Sequence, residues 1–199
     1  KRRKRRPVIV YTDAMYDAAK TPAGMVGIVI YDPEDTEHKW RYASAGVTDE
    51  IIARFRPRKQ YVGQLEVLAA VAAYTSRPEQ LRDRDVIHFI DNVGAYSGLG
   101  KGYSPDMDSA RMISVFHTMN AALRSNVWFE YVPSRPTISD LPSRNEFKLL
   151  NSSEYKAEVF SSWSGLRSRR GPASTARSSR STPSCARSAV VSGQRPLRV

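Results

Sequence analysis

Short apolar runs separated by polar turns occupy the first part of the chain. Residues 8–12 and 24–31 are nearly continuous apolar runs, which is typical of buried strands, and residues 39–45 alternate in character as a third strand. The connections between these runs are short, and only antiparallel strands can be joined by short turns. The pattern therefore predicts an antiparallel meander of three strands.

Helical and strand patterns alternate over the second part. Apolar positions recur at helical spacing over residues 63–75, and an apolar run at 86–90 predicts a fourth strand, parallel to the first by a right-handed crossover. A long helix opens at residues 104–106, and a fifth strand covers 127–132. The apolar stripe of that helix is predicted to be Met112, Val115, Phe116, Met119 and Leu123. These elements predict an α/β fold with a mixed five-stranded sheet, three strands antiparallel and the later ones parallel to the first, flanked by helices.

The composition divides the chain into four predicted segments. Residues 1–6 form a basic arm, residues 7–150 the folded domain, and residues 151–163 could form one more short helix. Residues 164–199 are rich in Ser and Arg and contain no acid. Such a segment cannot bury enough apolar surface to fold, so it is predicted to be disordered.

The net charge of +11 is concentrated at the two ends. Residues 1–6 are all Lys or Arg and eight arginines follow Leu166, whereas all 20 acids lie between these segments. Basic ends favour nucleic acid or another anionic surface, although a solvated tail or a nuclear-import patch would have the same composition. The single cysteine, Cys185, excludes a disulfide framework, and no apolar run approaches the roughly 18 residues of a membrane span. We expect a protein without a membrane segment in a reducing compartment, cytoplasmic or nuclear.

Four acids stand at positions suited to metal ligands. Asp13 follows the first strand, Glu66 lies near the start of an apolar helix, Asp91 ends the fourth strand, and Asp140 comes late in the domain. Each has an ordinary alternative: Asp91 could cap a helix or turn, Glu66 could be an exposed helix acid, and Asp140 could be an N-cap. Four carboxylates share one pocket only if cations lie among them. Taken together, the four favour a metal site.

These residues occur in motifs that resemble the ribonuclease H superfamily over roughly residues 7–150. The similarity is sharpest to the ribonuclease H domains of retroelement and hepadnavirus-type reverse transcriptases. The motifs, in chain order, are Thr12-Asp13-Ala14, Glu66-Val-Leu-Ala69, Asp91-Asn92, and Val132-Pro-Ser134 followed by Ser139-Asp-Leu-Pro-Ser-Arg144.

The resemblance implies cleavage of the RNA strand of an RNA–DNA hybrid with two Mg²⁺ or Mn²⁺ ions. It implies that Asp13 bridges the ions, that Glu66 and Asp91 complete one site, and that Asp140 completes the other. A reverse transcriptase polymerase domain in the same polyprotein is the implied partner, and a retroelement particle becomes a further candidate location.

Four further residues are candidate substrate contacts. Asn92 could hydrogen-bond a ribose or merely tolerate a turn, and Lys101 could contact the DNA strand or lie in a surface loop. Ser134 and Arg135 lie in the loop after the fifth strand, where Arg135 could contact phosphate. Trp40 and Trp128 are expected in the core rather than as base-stacking platforms.

The resemblance has one departure. Many ribonucleases H have a mobile His shortly before the last Asp, and the corresponding stretch here holds Glu130 and no His.

Three other functions remain open. Another nuclease or recombinase of the same fold fits less well, since position 15 is Met and neither Glu130 nor Glu146 is well placed as a last acid. A non-catalytic ribonuclease H-like binding module would not need four acids. A protein that binds nucleic acid only through its basic arms is the third alternative.

Overall fold

The computed structural model describes residues 5–133, 138–144, 150 and 155–157, and these contain a six-stranded sheet. The strands lie in the order β5-β4-β1-β2-β3-β6. β2 is antiparallel to β1 and β3, whereas β4 is parallel to β1 and to β5. The predicted mixed sheet is therefore confirmed. The strands are β1 (Val8–Tyr16), β2 (Gly24–Tyr31), β3 (Trp40–Val47), β4 (Asp85–Ile90), β5 (Asn126–Tyr131) and β6 (Tyr155–Ala157).

β1 continues to Tyr16, past the predicted end at residue 12. The extension exists because residues 13–16 pair with residues 27–24 of β2. Asp13 consequently lies inside a paired strand, opposite Gly27, rather than in a turn after it.

The helices are α1 (Asp49–Ile52), α2 (Val62–Ser76), α3 (Pro78–Leu81), α4 (Val93–Lys101), α5 (Met107–Leu123) and α6 (Asp140–Ser143). α2 and α5 match the two predicted helices closely. α4 was not predicted, because its three glycines have low helix propensity and weaken the apolar pattern. Its ends nevertheless carry ordinary signals: Asn92 caps the N-terminus, and Gly102 ends the helix with a φ of 71°.

The main core lies between the sheet and helices α2, α4 and α5. Every residue of α2 from Gln64 to Tyr74 is buried, so this helix has no exposed stripe. α2 contacts both β1 and α5. A charged residue within this stretch, Glu66, is therefore placed inside the protein by the packing of its neighbours. Other fully buried members of the core are Val8, Val10, Ile90, Leu99, Ile113 and Phe116.

Two expectations about burial are wrong. Val115 is 44% exposed, because the buried side of α5 is centred on Ile113 and Phe116. Trp128 is 69% exposed, because it projects from β5, a strand at the edge of the sheet. Trp40, in contrast, packs against the buried cluster of Val29, Tyr42 and Leu150, as expected.

Residues 155–157 form β6 instead of part of the predicted helix at 151–163. β6 pairs in parallel with residues 40–42 of β3. A strand at the edge of a sheet offers unpaired N–H and C=O groups, and pairing with them satisfies the backbone of an added segment. The rest of that predicted helix, residues 1–4 of the arm and the predicted disordered tail lie outside the described residues. No helix in the described part of the chain has the length and apolar character needed to cross a membrane.

Candidate metal centre

Asp13 and Asp91 lie at the same end of the neighbouring parallel strands β1 and β4. Thr12 is paired with Ile90; Asp13 follows Thr12 within β1, and Asp91 directly follows Ile90, the last residue of β4. Glu66 reaches the same place from α2, where its Oε1 accepts a hydrogen bond of 3.2 Å from the backbone N–H of Ala14. Two strands and a helix that are distant in sequence therefore bring three carboxylates together.

These three acids form a compact cluster. Asp13, Glu66 and Asp91 each offer one carboxylate oxygen, and these oxygens all lie within 4.8 Å of one another. Asp13 and Glu66 are buried, and Asp91 is half-buried. The cluster is therefore open to solvent mainly on the side of Asp91.

Asp140 lies beside this cluster but is not one of its three members. It is the first residue of α6 and is buried. Its negative charge contributes to raising the pKa values of Asp13, Glu66 and Asp91, so it is close to all three. The Nη2 atom of Arg144 lies 3.7 Å from Asp140 Oδ1. Asp140 is not the N-cap of α6, because that position belongs to Ser139.

The cluster is electrostatically unfavourable without a cation. Burial, and then the charges of Asp140 and Asp91, raise the pKa of Asp13 to about 7, against a lowering by the hydrogen bond from Ser143. Burial and the neighbouring acids raise the pKa of Glu66 well above its ordinary value. The pKa of Asp91 is also raised, by burial and by Asp140. Acids that share a site repel one another, and a bound cation reverses this effect.

The donor set fits a divalent cation of the Mg²⁺ or Mn²⁺ type. Such cations prefer carboxylate oxygens as ligands. Glu66 Oε2 is buried and has no hydrogen-bond partner among the described residues, whereas Oε1 is held by Ala14. A buried carboxylate oxygen without a partner is costly, and a metal ion would satisfy it. Asp13, Glu66 and Asp91 are thus able to hold one ion, and Asp140 lies close to them.

Two residues of the site were not predicted. Ser143 is fully buried, and its hydroxyl donates a hydrogen bond to Asp13 Oδ2. Gly27 lies opposite Asp13 in β2 and leaves room for the backbone of α6. The available signal was the spacing of Ser143, three residues after Asp140, which places both on one side of a helical turn.

The structure describes two of the four predicted substrate contacts, Asn92 and Lys101. Asn92 Oδ1 accepts a hydrogen bond of 3.0 Å from the N–H of Ala95, so this side chain is an N-cap of α4. Lys101 is exposed and lines a groove of about 380 Å³ between α4 and β5, together with the exposed Trp128. None of the four acids lines this groove. Ser134 and Arg135 lie outside the described residues.

Comparisons with known proteins identify the fold. No protein-family model matches the chain, and no curated protein matches its sequence. The N-terminal ribonuclease H domain of a Mycobacterium tuberculosis protein, solved as a fusion with maltose-binding protein, is 11% identical with a TM-score of 0.52, over 72% of this chain and 94% of that one.

Two other similar structures have lower TM-scores. Ribonuclease H1 of the archaeon Halobacterium salinarum is 17% identical over 71% of this chain and 98% of that one, with a TM-score of 0.49. The foamy viral protease-reverse transcriptase in complex with double-stranded DNA is 12% identical over 69% of this chain and 89% of that one, with a TM-score of 0.43. At 11% identity, the likeness to the Mycobacterium tuberculosis domain concerns the fold alone, and that fold is ribonuclease H-like.

Proposed function

We propose that this chain, with its ribonuclease H-like fold, is a metal-dependent endoribonuclease that cleaves the RNA strand of RNA–DNA hybrids. The observation that carries the proposal is the cluster of Asp13, Glu66 and Asp91, whose oxygens lie within 4.8 Å of one another. Buried carboxylates without compensating cations destabilise a fold, so their presence together indicates a function that needs them.

The proposed ligands divide between two ions. Asp13 would bridge them, Glu66 and Asp91 would complete one site, and Asp140 would complete the other. When bound, two such ions activate a water molecule and stabilise the leaving oxygen of a phosphodiester. The preference for Mg²⁺ or Mn²⁺ follows from the all-oxygen donor set.

The protein's own contribution is to orient these carboxylates. Backbone N–H donation from Ala14 holds Glu66 Oε1, and Ser143 holds Asp13 Oδ2. The contact with Ala14 leaves Glu66 Oε2 without a hydrogen-bond partner among the described residues, so this oxygen is available to a ligand. Pre-oriented ligands lose little freedom when substrate arrives, and this lowers the barrier to reaction.

The substrate contacts are proposed from position and charge. Lys101 is an exposed cation at the C-terminal end of α4, and Arg135 follows β5 in the chain, so each would contact a phosphate. Asn92 uses Oδ1 as a helix cap, and its amide nitrogen would donate to a ribose hydroxyl. Ser134 would contact the backbone of the same strand. The proposal that a reverse transcriptase polymerase domain is the partner is supported by the motif resemblance in the sequence.

The experiment is cleavage of a hybrid with a labelled RNA strand in Mg²⁺ or Mn²⁺. Wild type is compared with Asp91→Asn, which removes a proposed ligand, and with Asp85→Asn as the matched control. Asp85 begins β4, the strand that Asp91 follows. It is exposed and accepts a hydrogen bond of 3.2 Å from Asn126 at the end of the strand away from the cluster. We expect metal-dependent cleavage of the RNA strand only, abolished in Asp91→Asn and unchanged in Asp85→Asn.

Two results would contradict the proposal. If wild type binds the hybrid but cleaves neither strand with either metal, the chain is a non-catalytic binding module. If cleavage survives in Asp91→Asn, the carboxylate cluster is not the catalytic centre.

A further inference from the structure

α6 is a helix of a single turn, so its position depends on packing rather than on its own stability. Gly27 of β2 makes that packing close. A Cβ atom at Gly27 would lie 2.5 Å from the backbone nitrogen of Ser143 and 2.6 Å from the carbonyl oxygen of Ser139. Gly27 is also the residue paired with Asp13. α6 therefore lies directly against the strand pair that carries Asp13.

Ser143 contacts both Asp13 and Asp140 through its hydroxyl group. Its Oγ donates to Asp13 Oδ2 and also lies 3.1 Å from the carbonyl oxygen of Asp140. A hydroxyl carries one hydrogen, so the two acceptors share it. The residue is fully buried, so water does not compete for this hydrogen bond. The carboxylate of the first acid is thus tied to the backbone of the fourth.

We propose that Ser143 is a positioning residue of the metal centre, which orients the Asp13 carboxylate and holds Asp140 beside it. This proposal rests on the proposed function of the acids as metal ligands. A group that hydrogen-bonds to a metal ligand fixes the orientation of that ligand, and its loss typically lowers metal affinity or activity about 10- to 100-fold. The Ser143 hydroxyl contacts Asp13 Oδ2 and the backbone of Asp140, so the expected effect concerns the Asp13 carboxylate and the location of α6.

The test measures Mn²⁺ affinity by calorimetry, without nucleic acid and at constant pH. Ser143→Ala removes the hydroxyl, Ser143→Cys keeps a similar volume with a weak donor, and Ser143→Thr keeps the hydroxyl. Ser125→Ala is the matched control. Ser125 lies just before the start of β5, and its hydroxyl donates a hydrogen bond of 2.6 Å to the Leu81 carbonyl oxygen rather than to an acid. Melting temperatures without metal report on folding, and kcat and KM on a hybrid report on the reaction.

We expect Ser143→Ala and Ser143→Cys to weaken Mn²⁺ binding about 10- to 100-fold and to lower kcat with little change in KM. Ser143→Thr should retain affinity within a few fold, and Ser125→Ala should bind Mn²⁺ as wild type does. If either hydroxyl-deficient variant that melts as wild type does also binds Mn²⁺ with wild-type affinity, the positioning role is wrong.

The experiment distinguishes failure of the nuclease proposal from failure of the positioning role. A wild type that binds Mn²⁺ but does not cleave hybrid would contradict the nuclease proposal, while the affinities of the Ser143 variants would still decide the positioning role. A wild type that binds no Mn²⁺ at millimolar concentration would overturn both.

Discussion

Asp13→Asn should stabilise the metal-free protein at neutral pH. The structure raises the pKa of Asp13 from 3.8 to about 7, chiefly by burial. Each pKa unit corresponds to about 1.4 kcal/mol, so ionising this carboxyl in the folded state costs on the order of 4 kcal/mol. Because the pKa is raised on folding, stability is highest while the carboxyl is protonated and falls as pH rises from about 4 to about 7. Asn has nearly the same shape as Asp and carries no charge, so the stability of Asp13→Asn does not fall as the pH rises over this range.

The difference between the two proteins should therefore grow with pH. We expect Asp13→Asn to exceed wild type by about 1 kcal/mol at pH 4.5 and by about 4 kcal/mol at pH 8. For a domain of this size, the larger value raises the melting temperature on the order of 10 °C. The assay is thermal unfolding by circular dichroism in a chelator, with Asp85→Asn as the control for loss of an exposed acid.

Added metal provides the second half of the same experiment. Saturating Mg²⁺ should raise the melting temperature of wild type, because a ligand that binds only the folded state stabilises it. Asp13→Asn should show no such rise. If the variant is no more stable than wild type in chelator at pH 8, or if the difference does not change with pH, the electrostatic account of the cluster is refuted.

Three further predictions concern the pH dependence of metal affinity, the packing of α6 against Gly27, and the buried face of α5. Mg²⁺ affinity, measured by calorimetry, should rise between pH 6 and pH 8 because binding requires deprotonated Asp13; an affinity independent of pH would contradict this. Gly27→Ala places a Cβ atom 2.5 Å from the Ser143 nitrogen and should lower Mn²⁺ affinity at least about tenfold, without changing the circular dichroism spectrum; wild-type affinity would show that α6 tolerates the displacement. Phe116→Ala should cost about 3–5 kcal/mol in urea unfolding, whereas Val115→Ala on the exposed side of the same helix should change stability by at most about 0.5 kcal/mol, and equal costs would contradict the assignment of the buried face.

Much of the fold was predictable because its strands are apolar runs of distinct period. Residues 24–31 were identified as a strand with the observed bounds, and the helix between the third and fourth strands implied the parallel crossover. α4 was not predicted, since glycine-rich helices lack a clear apolar stripe, and β6 depended on a free sheet edge that no local pattern reveals. The burial of Trp128 was predicted wrongly, because the sequence does not show which strand lies at the edge of the sheet.

The candidate metal centre was likewise predictable from the sequence only in part. The sequence by itself determined which acids could act together, because strand ends and a helix start in this order have few arrangements. Only the tertiary structure decided that Asp13, Glu66 and Asp91 meet within 4.8 Å while Asp140 lies beside them. It also decided the roles of Gly27 and Ser143. A close approach between backbones and a hydrogen bond between residues 130 positions apart depend on three-dimensional packing, and no local pattern of residues encodes them.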